Sequence, residues 1–280
     1  MYVVSKVVLS QISPLDLLWL RYVVAIVCML LVHLWQKKSW RVQKRELGFI
    51  LLIGIIGYVV SIYCQFLGTQ LSSAQLGSVI TAATPTFMVL FARPILGERI
   101  TIRKVISLLL ATTGVFLIVG GTFWQPTYFA GGLVLLAAAI SWALMSVLVK
   151  KLPKEGSSLL QTAYAMAVAW LLITPLVGQN THFLLRMIHQ PALLASVLYL
   201  GLVATAGAFF LWNLGLKQID AGQGGLYFFF QPVVGTLLGW IFLQETVTLS
   251  FLFGALLVLG GLFVTTMRRD VRQTPSGNRG

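Results

Sequence analysis

Charged residues are scarce in this sequence, and acidic residues most of all. Only 10% of the 280 residues are charged, and only 7 are Asp or Glu. Soluble globular proteins carry about 25% charged residues, so a water-soluble fold is excluded. Hydrophobic residues make up 58% of the chain, and they recur in runs of about 20 residues, the length that a helix needs to cross a bilayer. The composition therefore predicts a polytopic membrane protein.

Cysteine and histidine are also scarce. Both cysteines, Cys28 and Cys64, fall inside apolar runs, where we expect them to pack as small hydrophobic residues. The histidines, His33, His182 and His189, lie near the ends of apolar runs, with no glutamate at metal-site spacing and no nucleophile beside a base. The sequence therefore predicts no metal, no cofactor and no enzymatic activity.

The net charge of +13 comes from Lys and Arg in short loops. Basic loops follow the second, fourth, sixth and last apolar runs, and nearly base-free loops alternate with them. Cytoplasmic loops concentrate basic residues, so we expect a multi-pass protein of the inner (cell) membrane with both termini cytoplasmic. The expected partners are the lipid bilayer and a small-molecule substrate, and not nucleic acid.

The second half of the chain repeats the first. The stretch from Ala74 to Phe116 has an echo from Ala221 to Phe263, at a constant offset of 147 positions. The same offset makes the following pairs: Gly54 and Gly201, Pro85 and Pro232, Glu98 and Glu245, Gly114 and Gly261. An ungapped repeat of this length indicates one structural unit used twice.

The apolar runs predict an all-α integral membrane protein of ten helices. The first helix is short, which predicts that the chain as given begins partway through it. The other predicted spans are 15–35, 47–67, 74–96, 102–120, 129–151, 159–177, 191–216, 222–243 and 249–267. The first repeat then covers 1–120 and the second 129–267, and 268–280 forms a basic, disordered cytoplasmic tail.

Five helices per repeat is an odd number, so the second copy must be inverted relative to the first. The loop charges agree, because GERITIRK after helix four is basic and its counterpart QETVTLS after helix nine has no base. Inverted repeats are a recurrent plan of secondary transporters, which bind substrate near the bilayer midplane.

Polar residues within the spans should face a cavity rather than lipid. Ser78, Thr81 and Pro85 share a face of helix four, and Tyr227 and Gln231 share a face of helix nine. Pro85 and Pro232 each interrupt their helix, which is tolerated at membrane depth where protein or a cavity satisfies the backbone. Further candidates for the cavity are Tyr63, Gln65, Trp142, Trp212 and Asn213. For the aromatic candidates, simple packing is the alternative.

Arg21 lies about two turns into helix two, where an unpaired cation is costly. Three roles are open for it: binding a substrate carboxylate as an anion contact, pairing with a carboxylate elsewhere, or extending to the outer surface. Asp16 lies five residues earlier, on a poor face for pairing. Lys6 is close enough to the end of its helix to extend to the surface.

Glu98 and Glu245 lie just before helices five and ten. A carboxylate there meets the positive end of the helix dipole, so we interpret both as structural caps. The alternative, proton coupling, requires a carboxylate deep in the membrane, and no predicted span has Asp or Glu at its centre. Gly235 and Gly239 form a GxxxG pattern, which leaves a homodimer interface open.

Several segments resemble the drug/metabolite transporter superfamily, EamA type. They include ISPLDLLWLRY, ATPTFMVLFARPILGERIT, ISWALMSVLVKK and FFQPVVGTLLGWIFLQETVT. The resemblance implies ten helices in two inverted five-helix repeats around a cavity open alternately to each side. It also implies a carrier for small organic metabolites, such as amino acids or similar solutes, that works as an exporter. The alternatives are a multidrug-type efflux protein, for which a membrane-embedded acid is missing, and a non-transporting scaffold.

Overall fold

The computed structural model describes residues 2–37, 39–72, 77, 80–119, 129–153, 155–177, 190–231, 234 and 249–266. Within these ranges the regular structure is helical and contains no strand. The helices, numbered in chain order, are α1 Tyr2–Leu9, α2 Pro14–Trp35, α3 Lys44–Leu71, α4 Thr84–Leu96, α5 Ile102–Val119, α6 Phe129–Val149, α7 Ser158–Ile173, α8 Pro191–Leu216, α9 Ala221–Leu226 and α10 Leu249–Thr266.

Five of these helices are long and apolar enough to cross a membrane, namely α2, α3, α6, α7 with its extension to Leu176, and α8. Shorter apolar helices are formed by α4 and by Leu252–Gly261 within α10. Large apolar side chains face outward, including Leu109, Leu211 and Leu256, which are 64%, 63% and 66% exposed. Apolar surface on this scale needs lipid to cover it, so the chain is a multi-pass membrane protein.

Capping residues place the starts of two long helices. The Ser13 hydroxyl accepts a hydrogen bond from the backbone N–H of Asp16, and Pro14 occupies the first turn of α2. The Ser157 hydroxyl accepts from the backbone N–H of Leu160 at the start of α7. These caps satisfy N–H groups that have no partner inside the helix, and they put the boundaries close to the predicted ones.

The predicted helix over 74–96 is interrupted by a turn at 82–83. Pro85 consequently lies in the first turn of α4, where its missing N–H removes no helical hydrogen bond. The predicted span is thus interrupted at Pro85, by a turn that precedes the proline rather than by a kink within one continuous helix; the proline inside α4 is Pro94. Its repeat counterpart, Pro232, lies outside the described residues.

Two helices contain π-helical segments at equivalent places in the repeat. These segments are Ile53–Ser61 in α3 and Leu202–Gly207 in α8. Shifting Ile53–Ser61 by 147 positions gives 200–208, which includes the second segment. π-Helical turns are rare and are frequent at functional sites, so both halves of the chain have the same irregularity.

Glycines let α5 and α10 approach closely. A Cβ atom on Gly114 would lie 2.5 Å from the carbonyl oxygen of Gly254, and one on Gly261 would lie 2.8 Å from that of Ser107. An offset of 147 positions separates Gly114 from Gly261, and the same offset separates Ser107 from Gly254. The contact is therefore reciprocal between repeat-equivalent helices. The two helices are antiparallel, because the contacting positions rise along α5 as they fall along α10.

A second reciprocal contact joins the long helices. A Cβ atom on Gly54 of α3 would lie 3.1 Å from Val168 of α7, and one on Gly201 of α8 would lie 3.3 Å from the carbonyl oxygen of Arg21 in α2. The same offset of 147 positions separates Gly54 from Gly201, and it also separates Arg21 from Val168. Each half thus packs a π-containing helix against the other half, and these helices enclose a shared core.

Candidate functional site

A group of aromatic and polar side chains lies in this shared core. We call it the central cluster, and its members are Arg21, Tyr58, Phe66, Trp142, Phe209 and Asn213. Arg21 and Tyr58 are 0% exposed, and Asn213 is 5% exposed. Helices α2 and α3 contribute residues from the first half of the chain, and α6 and α8 contribute residues from the second half. The cluster therefore straddles the boundary between the repeats.

Arg21 is held by hydrogen bonds and by aromatic rings. Its Nε donates to Thr205 Oγ1 at 2.6 Å, and its Nη2 donates to the Ala204 carbonyl oxygen at 3.3 Å. Its guanidinium carbon lies 5.1 Å from the ring centroid of Phe66 and 5.6 Å from that of Phe209, within the range of cation–π attraction. Its complete burial excludes extension to the outer surface. Among the described residues, no carboxylate forms an ion pair with it.

Asn213 joins helices from both halves of the chain. Its Nδ2 donates to the Tyr58 hydroxyl at 2.8 Å and to Thr162 Oγ1 at 2.9 Å. The Tyr22 hydroxyl donates to the Tyr58 carbonyl oxygen, in the π-helical segment of α3. Buried polar groups need such partners because each unmade hydrogen bond costs about 1–3 kcal/mol.

Phe209 is the ring around which the cluster packs. It stacks on Tyr58 with the ring centroids 5.2 Å apart and meets Trp142 edge-on at 5.0 Å. Asn213 follows Phe209 by four residues on α8, so both lie on the same helix face. The arrangement is an aromatic wall with a few polar groups, which is typical of sites for small organic molecules.

Three buried polar atoms of the central cluster have no hydrogen-bond partner. They are Arg21 Nη1, Trp142 Nε1 and Asn213 Oδ1. Two are donors and one is an acceptor. Buried polar groups in native proteins are nearly always paired, so each of these atoms can still hydrogen-bond to a water molecule or to a ligand.

The structure brings only part of the predicted cavity set together. Trp142, Asn213 and Arg21 are members of the central cluster. Trp212 lies close by on α8, where its Nε1 donates to Ser146 Oγ at 3.1 Å and its ring meets Phe228 edge-on. Tyr63 is half-buried against the same core. These positions leave Trp212 and Tyr63 beside the cluster rather than in it.

The described candidates on helices four and nine have contacts of their own. The Thr81 hydroxyl donates to the Gly77 carbonyl oxygen at 2.5 Å. Pro85 is buried, and a Cβ atom on Gly225 of α9 would lie 3.0 Å from its Cα. Tyr227 is 45% exposed and stacks on Phe230. The half-buried Gln231 has an unpaired Oε1, and Ser78 lies outside the described residues.

Sequence reasoning missed Tyr58, Phe66, Thr205 and Phe209. A usable signal was present for two of them, because Tyr58 and Thr205 are 147 positions apart and both interrupt apolar runs. Nothing in the sequence distinguishes Phe66 or Phe209 from the other phenylalanines. Their importance follows only from the packing of α3 against α8.

A charged group, the Glu98 network, lies at one end of the helices and consists of Glu98, Lys104, Lys150 and Asp220. Glu98 is 3.2 Å from Lys104 and 3.6 Å from Lys150, and Lys104 is 3.4 Å from Asp220. Gly97 ends α4 with a φ of 71°, a left-handed conformation that glycine adopts without strain. This turn places Glu98 where the two halves of the chain meet.

Glu98 caps a helix, although not the one expected. Its carboxylate accepts from the backbone N–H groups of Ala221 (2.8 Å) and Gly222 (3.3 Å), at the start of α9. The predicted cap on the helix that begins at Ile102 is therefore wrong. At that helix start, it is the Thr101 hydroxyl that accepts from the Lys104 backbone N–H. The other predicted cap, Glu245, lies outside the described residues.

The surroundings of Glu98 determine its protonation. Burial by itself raises the pKa of this carboxyl group, but the N–H groups of Ala221 and Gly222 and the Lys104 ammonium outweigh burial. The pKa of Glu98 is consequently below its ordinary value of 4.5. Glu98 is therefore ionised at neutral pH and holds α4 to α9.

A second group at the same end, the Glu46 network, consists of Glu46, Gln161 and Lys217. Gln161 Nε2 donates to Glu46 at 2.7 Å, and Lys217 Nζ donates to Gln161 Oε1 at 2.6 Å. Burial lowers the pKa of Lys217, and the charges of Glu46 and Glu155 partly offset this effect. The two networks together tie the loop between α8 and α9 to both halves of the chain.

Lys6 is tied to another helix end. Its Nζ donates to the carbonyl oxygens of Thr69 (2.7 Å), Gln70 (3.1 Å) and Ser72 (2.8 Å). These carbonyls lie at the C-terminus of α3 and have no partner within that helix. Lys6 thus caps α3 from a partly exposed position.

An apolar groove of about 500 Å³ between α5 and α10 is lined by Leu117, Leu249, Phe253, Leu256 and Leu257. A lining without polar groups suits a lipid chain better than a polar solute. Within the described ranges, no cluster of His, Cys, Asp or Glu is suited to a metal ion.

Comparisons with known proteins agree on the class of molecule. The profile of the EamA-like transporter family matches residues 1–120 and 129–267. A Bacillus subtilis protein named uncharacterized transporter YetK is 25% identical over 272 residues, which cover 95% of this chain and 82% of that protein. An Archaeoglobus fulgidus protein named uncharacterized transporter is 26% identical over 261 residues, which cover 92% of this chain and 90% of that protein.

A solved crystal structure superposes on this chain with a TM-score of 0.71 at 21% identity, covering 94% of this chain and 90% of the other. At this identity the likeness shows a shared fold. The names of the two relatives describe transport rather than catalysis, and the family profile matches most of the sequence. The chain therefore belongs to the EamA-like transporter family, a family of multi-pass membrane transporters.

Proposed function

We propose that this transporter is a carrier for small organic metabolites, that it works as an exporter of the inner membrane, and that it binds its substrate at the central cluster. The observation that carries the proposal is the set of three unpaired polar atoms around Phe209. A substrate that meets these atoms supplies the hydrogen bonds that no described protein group gives them. The aromatic rings supply apolar contact for the rest of the molecule. Export is the direction that the EamA-type resemblance favours.

The proposed mechanism is alternating access between two inverted repeats. An in-plane twofold axis makes repeat-equivalent helices antiparallel, and the antiparallel contact of α5 with α10 supports this arrangement. The reciprocal contacts of Gly54 with Val168 and of Gly201 with Arg21 support it as well. A cluster shared by two such halves is exposed on one side or the other as the halves rock.

The Glu98 and Glu46 networks form the cytoplasmic closure in this proposal. They join loops that the positive-inside pattern places in the cytoplasm, and every loop involved is near the same end of the helices. Opening toward the cytoplasm breaks the contacts of Lys104 with Asp220 and of Glu98 with Ala221. Both contacts join the first half of the chain to the second.

The test is counterflow in proteoliposomes that contain the purified protein, with a panel of labelled amino acids, organic acids, amines and neutral solutes. We expect at least one class to exchange. We expect Asn213→Ala and Trp142→Phe to lower its kcat/KM about tenfold, because each removes one group from the cluster. Tyr199→Phe is the matched control, because Tyr199 is exposed on the outer face of α8.

Two results would contradict the proposal. One is a folded protein that exchanges no member of the panel. The other is exchange that proceeds at the wild-type rate in both cluster variants. Running the same panel with and without a pH gradient shows whether proton movement contributes to transport.

A further inference from the structure

The charge of Arg21 has no counter-charge in the described part of the protein. The side chain is completely buried, and a buried charge without a partner costs several kcal/mol. The nearest acid in the sequence, Asp16, interacts instead with Ser13, whose hydroxyl donates to its Oδ2 at 2.7 Å. The rings of Phe66 and Phe209 compensate only part of the cost, because a cation–π contact is weaker than the hydration that a buried charge loses.

The hydrogen bonds of Arg21 fix one side of the guanidinium group and leave the other side unused. Nε and Nη2 are held by Thr205 and Ala204 of the π-helical segment in α8. Nη1 is buried and has no partner. A guanidinium group whose plane is already fixed is suited to bind a carboxylate through its two terminal nitrogens.

The residues around Arg21 restrict the rest of the ligand. Phe209 contacts both Arg21 and Trp142, and Asn213 lies one helical turn further along α8. The unpaired Trp142 Nε1 donates, and the unpaired Asn213 Oδ1 accepts. A ligand that fits these groups has an anionic end, an apolar or aromatic body, and polar atoms of its own.

We propose that Arg21 binds the carboxylate of the transported substrate, and that the substrate class is organic acids with an apolar or aromatic body, amino acids included. This inference rests on the proposed carrier function. A carboxylate supplies the missing counter-charge, whereas a neutral solute or a cation leaves Arg21 uncompensated. The energetic cost of burying Arg21 is then offset when the substrate carboxylate binds.

The test compares matched carboxylates and amides in the counterflow assay. The probes are 3-phenylpropanoate with 3-phenylpropanamide, and phenylalanine with phenylalaninamide, each used to compete with whichever labelled solute exchanges fastest. For the wild type we expect each carboxylate to compete on the order of 100-fold more strongly than its amide, as is typical of a buried charge pair. For Arg21→Met we expect this preference to disappear, with competition by the amides changing less than about threefold.

Stability separates a binding role of Arg21 from a structural one. Arg21→Met removes an uncompensated charge, so we expect the melting temperature of the empty protein to be unchanged or higher. Arg21→Lys keeps the charge and loses the planar fork, so we expect a partial preference for carboxylates. A clear fall in melting temperature with Arg21→Met, or an equal loss of carboxylate and amide competition, would assign Arg21 to structure and overturn the proposal.

The same assay distinguishes failure of this inference from failure of the carrier proposal. If the wild type exchanges amines or neutral solutes while the carboxylates do not compete, the carrier stands and the substrate class is wrong. If no solute in the panel exchanges, the carrier proposal fails, and the substrate class fails with it.

Discussion

Arg21 and Glu98 are both withdrawn from solvent, but only Glu98 has charged partners. Lys104 and Lys150 lie within 3.6 Å of Glu98, and two backbone N–H groups point at its carboxylate. Arg21 has one hydroxyl, one carbonyl and two aromatic rings as neighbours. The difference agrees with the proposal, in which Glu98 holds two helices together and Arg21 binds the substrate.

We expect Glu98→Gln to lower the free energy of unfolding at neutral pH. We also expect it to make that free energy less sensitive to acidification. The pKa of Glu98 in the folded protein lies below 4.5, so its contribution is present above that pH and is lost as the pH falls through the folded-state pKa. We expect the variant to be less stable by about 1–3 kcal/mol near neutral pH. We expect the difference from wild type to shrink below pH 4.5. Thermal unfolding in detergent at several pH values measures this.

Glu155→Gln is the control for this prediction. Glu155 is exposed, and exposed carboxylates contribute about 0–1 kcal/mol. If the difference in stability between Glu98→Gln and the wild type stays constant down to the most acidic condition, Glu98 does not act as an ionised cap.

The packing of α5 against α10 depends on glycine at two repeat-equivalent positions. We expect Gly114→Ala and Gly261→Ala each to lower stability by about 1–3 kcal/mol, because the added methyl group would meet a backbone carbonyl of the other helix. Gly260→Ala is the matched control, since a Cβ atom there has nothing within 4 Å. Thermal unfolding in detergent compares the three, and equal effects at Gly260 and Gly261 would contradict the described contact.

The helix boundaries were largely predictable, because the length of an apolar run fixes a span. The predicted 191–216 coincides with α8, and the predicted 249–267 nearly coincides with α10. The interruption near Pro85 was expected from the proline, although its form as a turn at 82–83 was not, and the two π-helical segments were not predicted. No local residue pattern marks the two π-helical segments in the sequence.

The central cluster was only partly predictable for the same reason. Arg21, Trp142 and Asn213 stand out as polar or aromatic residues within apolar runs. Phe66 and Phe209 do not stand out, because a phenylalanine in a membrane helix usually faces lipid or plain core. Glu98 was recognised as a cap, but the helix it caps lies 123 residues further along the chain.

At the scale of the whole molecule, the two halves of the chain meet at the central cluster and at the two charged networks. The proposal of alternating access requires the cluster to stay shared while the networks separate. Helix α9 links the Glu98 network to α4, because Glu98 caps its first residues and Gly225 packs against Pro85 in the first turn of α4. Breaking the Glu98 cap therefore releases the helix that contacts Pro85.

The most direct measurement is transport with the Glu98 network held closed. Lys104→Cys and Asp220→Cys are combined in a chain whose only native cysteines, Cys28 and Cys64, are replaced by serine. A short bis-thiosulfonate reagent then cross-links the pair, and reductant releases it. The single-cysteine variants, treated identically, are the controls.

We expect the cross-link to reduce counterflow more than tenfold and the reductant to restore it, as alternating access requires the two halves to part at this end. Counterflow at an unchanged rate in the fully cross-linked protein would contradict the account, because substrate would then cross without opening of the cytoplasmic closure.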